Sequence, residues 1–233
     1  MSKLLERSCK SYKPEVLACP ICKTKFIYKH AISNKVIQFS SGKFIRIKNL
    51  GYACPNCKDN RIYFSQTANK LAFKGSTYSA KTCCMIDYYK KKGCGREEIC
   101  DILTSKGLII SNRNIDIIYN KFQEVYNHDY DSVIKEAYQK MMDTYNEIRI
   151  SVDLITINEL CYVILYDYFT SEKLAIWTFN GLEDPEMEEK LALYVSNKYK
   201  ISYVVTIRNV SKFYSMVKKN LSLTTKVLSF EKF

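Results

Sequence analysis

The spacing of apolar residues changes twice along the chain, and the changes mark three regions. Across residues 1–78, short strand-like stretches at Phe26–Tyr28, Val36–Phe39 and Phe44–Ile47 are separated by turn residues. Ser41-Gly42 sits between the last two as a hairpin turn would, and Tyr63 and Phe64 follow further on. Across residues 79–146 the spacing becomes helical. One predicted helix runs from Lys81 to Lys92, with Met85, Tyr88 and Tyr89 on one face, and another from Arg96 to Ser105, with Ile99, Ile102 and Leu103 together. Lys106-Gly107 ends the second, and Ser111 caps a third that reaches about Tyr126 with Ile115, Ile118, Phe122 and Val125 aligned. Residues 129–146 read as a further helix, a connector or a contact within a homo-oligomer.

Residues 147–233 alternate strands with helices. Strands are predicted at Ile148–Ile157, Leu160–Phe169 and Lys173–Asn180, then a helix at Asp184–Tyr199. A strand at Ile201–Ile207, a helix at Val210–Leu221 and a strand at Lys226–Phe230 follow. Three strands on short turns, then helix, strand, helix, strand, is the order of the ribonuclease H fold, and the alternation implies parallel pairs in the sheet. The expected fold class is therefore multidomain α+β. Its predicted parts are residues 1–78, a helical domain over 79–127, a connector over 128–146 and an α/β domain over 147–233.

Charge sharpens this division. Lys and Arg outnumber Asp and Glu by 20 to 6 over residues 1–100, against 6 to 8 over 101–150 and 10 to 10 over 151–233. The whole net charge of +12 thus arises in the first hundred residues. A basic block of this kind attracts phosphate backbones, although solubility or an acidic partner would also account for it. Abundant Lys, Ile, Asn and Tyr fit an AT-rich genome as well. No apolar run is long enough for a membrane span and no secretory signal is visible, so a cytoplasmic protein without a membrane partner is expected.

The cysteines carry the clearest chemistry. Ten of them in a chain without an export signal argue against a disulfide framework. Four form two Cys-x2-Cys pairs, Cys19-Pro-Ile-Cys22 and Cys54-Pro-Asn-Cys57. Each such turn brings two sulfurs together, a hairpin can bring the turns face to face, and zinc takes four thiolates in a tetrahedron. Cys19, Cys22, Cys54 and Cys57 are thus the predicted ligands of a structural zinc ion in a zinc ribbon. The intervening residues would form a basic hairpin or arm. His30 is expected at the surface rather than on the metal.

The short link from Gly107 to Ile110 suits a helix-turn-helix. Its third helix would offer Asn112, Arg113, Asp116 and Asn120 to DNA, since Arg and Asn read guanine and adenine edges bidentately. A plain helical hairpin with a solvated polar face is the alternative. In the third region Asp153 lies on one face of its strand with Arg149, Ser151 and Ile155, opposite Ile148, Ile150, Val152 and Leu154. A carboxylate there needs a metal ion, a cation or partial exposure to offset its burial.

Taken together, the Cys-Pro-x-Cys pairs, Gly93-Cys94-Gly95-Arg96-Glu97-Glu98-Ile99 leading through the helix-turn-helix, and Ser151-Val152-Asp153 resemble the front half of an insertion-sequence transposase of the DDE group. The resemblance covers nearly the full length and rests on domain order. It implies a ribonuclease-H-like, integrase-like core in which three carboxylates hold two divalent metals for DNA strand transfer. Asp153 matches the first carboxylate and would be a magnesium ligand. The second would fall near Thr206-Ile207-Arg208-Asn209-Val210, which has no Asp or Glu, with Asn209 the nearest polar residue. The third would lie beyond a fifth strand, and the sequence ends at Phe233.

The resemblance therefore implies a truncated or catalytically degenerate derivative that binds DNA, its ribonuclease-H-like domain incomplete. Asp167, Glu186, Glu188 and Glu189 are the remaining carboxylates from which an active nuclease could build a different site. A zinc-ribbon transcription regulator with a carboxyl-terminal assembly domain is the other reading.

Overall fold

Alternation along Phe44–Ala53 sets up the first sheet. In the computed structural model, which describes residues 9–58, 61–208 and 210–229, Ile47, Asn49, Gly51 and Ala53 of this strand are buried while Phe44, Arg46 and Lys48 are exposed. The chain is a mixed α/β protein with two sheets and, among the described residues, seven helices. It divides between Gln123 and Glu124 into two units.

In the first unit β1 (Cys9–Tyr12), β2 (Ile27–Gln38) and β3 (Phe44–Ala53) form a sheet of order β1-β3-β2, with β1 parallel and β2 antiparallel to β3. Ile37 and Ile47 pack against Ala68, Leu71 and Ala72 beneath it. Where the pattern suggests two separate stretches, β2 is one strand of 12 residues. A bulge between Tyr28 and Ala31 absorbs the polar interval, with His30 exposed there at φ 56°. Asn49 is buried and satisfied. Its amide donates to Ser65 O at 2.9 Å and accepts from Ser65 N at 2.8 Å.

Ser65 opens α1 (Gln66–Lys70), and the carboxylate of Glu15 receives the hydrogen bonds of Ser65 Oγ, Gln66 N and Thr67 N. This five-residue helix is too short to register as a period. Three longer helices follow: α2 (Ala80–Lys91), α3 (Arg96–Ser105) and α4 (Asn112–Tyr126). α2 packs against α3, and Ile99, Leu103, Ile115, Ile118 and Phe122 are buried.

The β2–β3 turn meets the α3–α4 turn backbone to backbone. A Cβ on Gly42 would lie 2.6 Å from Gly107 O. Both glycines are left-handed, at φ +76° and +83°, where other residues are strained. Between them the buried Gln38 amide donates to Gly42 O and Gly107 O and accepts from Ile109 N.

The second unit opens with α5 (Tyr130–Tyr145), which packs on β4 and β6 of the five-stranded sheet. The sheet elements are β4 (Ile148–Ile157), β5 (Leu160–Asp167), β6 (Lys173–Asn180), β7 (Ile201–Thr206) and β8 (Lys226–Ser229). Helices α6 (Pro185–Tyr194) and α7 (Ser211–Lys219) flank β7 in sequence. The order is β6-β5-β4-β7-β8, and only β5 runs against the other four. Ile148, Ile150, Val152 and Leu154 of β4 join one apolar core with residues of all three helices. That leaves Arg149, Ser151 and Asp153, all buried, on the other face of β4. Among the described residues no helix is long and apolar enough to cross a membrane.

The glycine contact gives a direct test. Gly42→Ala is expected to lower stability by about 1–3 kcal/mol, because strain at positive φ adds to the overlap with a carbonyl. Gly107→Ala, whose Cβ would meet Gly42 Cα only at 3.8 Å, should cost less. Thermal or urea melts in which the two variants rank the other way would contradict the tight packing of these turns.

Candidate functional site

The two Cys-x2-Cys turns converge at one end of the first sheet. Cys19 precedes β2 and Cys54 directly follows β3, so the antiparallel hairpin carries both turns to the same end. The Sγ atoms of Cys19, Cys22, Cys54 and Cys57 all lie within 4.8 Å of one another, with Cys22–Cys54 at 3.3 Å, Cys22–Cys57 at 3.5 Å and Cys19–Cys57 at 3.6 Å. These spacings are too long for disulfides, and all ten cysteines are free thiols. Four sulfurs at about 2.3 Å from a tetrahedral zinc ion would stand roughly 3.8 Å apart. The cluster is thus compatible with a zinc site.

Local bonding holds each turn open toward the shared centre. In the first, Cys19 N donates to Thr24 O at 2.9 Å and Lys23 N to Cys19 O at 3.0 Å, with Lys23 at φ 60°. In the second, Asn56 N and Cys57 N both point at Cys54 Sγ at 3.4 Å. Asn56 Nδ2 donates to Thr24 Oγ1 at 3.0 Å and ties the two turns together. Phe26 stacks on Tyr63 at 4.5 Å beside them. Hydrogen bonds from the side chain and backbone of Thr24 hold the Cys22 thiol down to about 6. Hydrogen bonding to Cys22 pushes Cys57 up, and burial pushes Cys19 up. Four thiols at this spacing cannot all ionise without a cation among them.

The α3–α4 pair forms the second candidate. Arg113 and Asn120 are exposed on α4. Asp116 is engaged within the unit, 3.4 Å from Arg96 and 3.7 Å from Lys90. Asn112 Oδ1 is buried, with no hydrogen-bond partner among the described residues. Of the four polar residues expected on this helix, Arg113 and Asn120 are therefore the ones turned outward.

The third candidate is Asp153, which is fully buried in β4. Arg208 Nη1 donates to both its carboxylate oxygens, at 2.6 and 2.7 Å. Strand register brings them together. Val152 pairs with Thr206 in the parallel β4–β7 ladder and Ile207 N donates to Val152 O, so the next side chain reaches Asp153. Arg208 is the partner of Asp153 that the pattern of residues leaves unassigned. Its signal is a cation just past the strand that neighbours the Asp-bearing one. Asn209 lies outside the described residues.

The alternative carboxylates have other partners. Asp167 accepts from Phe169 N and Thr170 N in a turn, Glu188 pairs with Lys219, and Glu186 and Glu189 are outside any metal-competent cluster among the described residues. No family model matches the chain, and no curated protein or solved structure matches it.

Two outcomes follow from this geometry. Cys19→Ser or Cys54→Ser should remove bound zinc, measured by mass spectrometry of metal content, and unfold the first unit, because binding and folding are coupled at such sites. Unchanged zinc in both variants would remove the assignment. Arg208→Ala should cost about 3 kcal/mol, since it takes the cation from a carboxylate without solvent access. Asp153→Asn should cost less, because Arg208 keeps 26% of its side chain exposed. Equal melting temperatures for Arg208→Ala and the unaltered chain would mean that the pair contributes nothing.

Proposed function

We propose that this chain is a transposase-like DNA-binding protein whose ribonuclease-H-like domain is catalytically degenerate. In this reading the cysteine-bearing sheet is a zinc ribbon, the α3–α4 pair is a helix-turn-helix, and the second unit corresponds to the integrase-like core. The observation that carries it is the pairing of Asp153 with Arg208 at the centre of a sheet ordered β6-β5-β4-β7-β8. Strand order and the antiparallel β5 support a ribonuclease-H-like core. The guanidinium sits where that core would hold a divalent cation. Among the described residues, the one group of His, Cys, Asp or Glu able to hold a metal is the four-cysteine cluster. A lone carboxylate already bonded to a guanidinium supplies no magnesium site of the two-metal kind.

DNA binding is supported by the outward Arg113 and Asn120 and by the positive charge concentrated in residues 1–100. Zinc would be structural, shaping the ribbon rather than entering a reaction.

The test combines binding and cleavage on one DNA. Zinc-loaded protein is mixed with duplexes taken from either side of its gene, with magnesium or manganese present. Binding that weakens steeply with salt, without cleavage or strand transfer, is expected. Cleavage that Asp153→Ala abolishes would overturn the degenerate reading. Binding confined to a promoter, with no preference for repeated element ends, would shift the conclusion to a transcription regulator.

A further inference from the structure

We propose that the tip of the β2–β3 hairpin is a second DNA-contacting arm, set beside the α3–α4 turn so that Lys43 and Lys106 bind phosphates flanking the groove that α4 enters. This rests on the reading of α4 as a DNA-contacting helix and adds a surface to it.

The placement is rigid. The hairpin closes on itself through Phe39 N to Lys43 O at 2.9 Å and Gly42 N to Phe39 O at 2.8 Å. Its tip touches the α3–α4 turn at Gly42 and Gly107, a contact too close to admit a Cβ on Gly42. Gln38, 2% exposed, spans the same contact with bonds to Gly42, Gly107 and Ile109. Tyr78 continues the path, donating to Ile109 O at 2.8 Å and accepting from Asn114 Nδ2 of α4 at 3.3 Å. Gln38 is also bonded by backbone to Thr77 and Ser79, which lead into α2. Hairpin tip, interhelical turn and the first turn of α4 are thus one piece, and α4 cannot approach a surface without bringing the tip with it.

The chemistry of the exposed groups selects the partner. Ser41, Lys43, Phe44 and Arg46 are exposed on the hairpin, and Lys106, Ile109, Ser111 and Arg113 on the turn and helix. Neither residues 39–48 nor residues 102–115 contain an Asp or Glu. The nearest acid on α4, Asp116, is already paired with Arg96 and Lys90. What remains outward is cationic, with small hydroxyls and two apolar side chains, Phe44 at 36% and Ile109 at 70% exposure. Lysines and hydroxyls suit phosphate oxygens, and an isolated apolar side chain suits a thymine methyl. The major groove is about 12 Å wide and walled by phosphates, so a tip fixed alongside a groove-entering helix falls on its wall. Duplex DNA matches this combination.

The experiment uses the full zinc-loaded chain and two probes. One is a duplex recovered by the chain itself from a randomised pool, the other a mixed-sequence duplex of equal length. Lys43→Ala with Lys106→Ala should weaken both probes by about ten- to a hundredfold. The slope of log affinity against log salt should flatten by about 2, roughly 0.9 for each phosphate no longer neutralised. The preference for the selected sequence should survive, and hydroxyl-radical protection should shrink on one side of the site. Lys13→Ala with Lys29→Ala, exposed lysines elsewhere in the unit, controls for charge alone. An equal flattening in that control overturns the arm, as does an unchanged slope and footprint in the first pair. If the arm fails but Arg113→Ala still erases sequence preference, the reading of α4 stands. Absence of binding to either probe by the unaltered chain would sink both.

Discussion

Four sulfur atoms within 4.8 Å of one another form the constraint from which the first unit is built. Thiols tolerate that spacing, but thiolates do so only around a cation, since each negative charge raises the cost of the next. The hydrogen bonds that lower Cys22 and the pressure that raises Cys57 are two aspects of that competition. A cation joining the turns would tie the ends of β2 and β3 together. The hairpin then reaches away from the cluster as a stiff lever. Its far end is fixed just as firmly, by two glycines whose backbones touch and by a buried glutamine bridging them.

The second unit depends on a different balance, of charges held in a sheet. Asp153 and Arg208 meet because β4 and β7 run parallel in a register that leaves Arg208 two residues past Thr206. Arg149 on the same face pairs with Glu147 and lies 4.8 Å from the ring of Tyr203. Buried pairs of this kind stabilise little compared with apolar residues of the same volume, yet removing one member strands the other. A guanidinium and a divalent cation compete for the same carboxylate oxygens, which is why one contact bears so directly on the chemistry open to this unit.

Much of this is legible in the sequence, and what is legible is long or periodic. Arg96–Ser105, Ile148–Ile157 and Lys173–Asn180 are found at the expected bounds because their apolar periods run for most of each element. The helix expected at Asp184–Tyr199 ends at Tyr194, where the chain turns before β7. Cys9–Tyr12 gives no local signal because its neighbour in the sheet lies over thirty residues away, and Gln66–Lys70 is shorter than two helical turns, too short for its period to repeat. The four cysteines are legible because their spacing is a local property. Arg208 is not, because its role depends on strand register, and neither are Gly42 and Gly107, whose contact joins turns far apart in sequence.

The same distinction separates the two kinds of site on this molecule. Chemistry written into local spacing, as in Cys-x2-Cys, survives as long as the residues do. Chemistry that depends on register is lost or gained by one side chain beyond a strand end. With a carboxylate in place of Arg208, Asp153 would face a second acid across the ladder, and a metal would be the natural means of holding the two together. With arginine there, the charge is satisfied internally and the strand pair closes on itself. Under the proposed reading, then, the chain keeps the modules that recognise DNA because those are locally encoded or mechanically braced. In that reading, a site that depends on register would be the part most easily converted into structure.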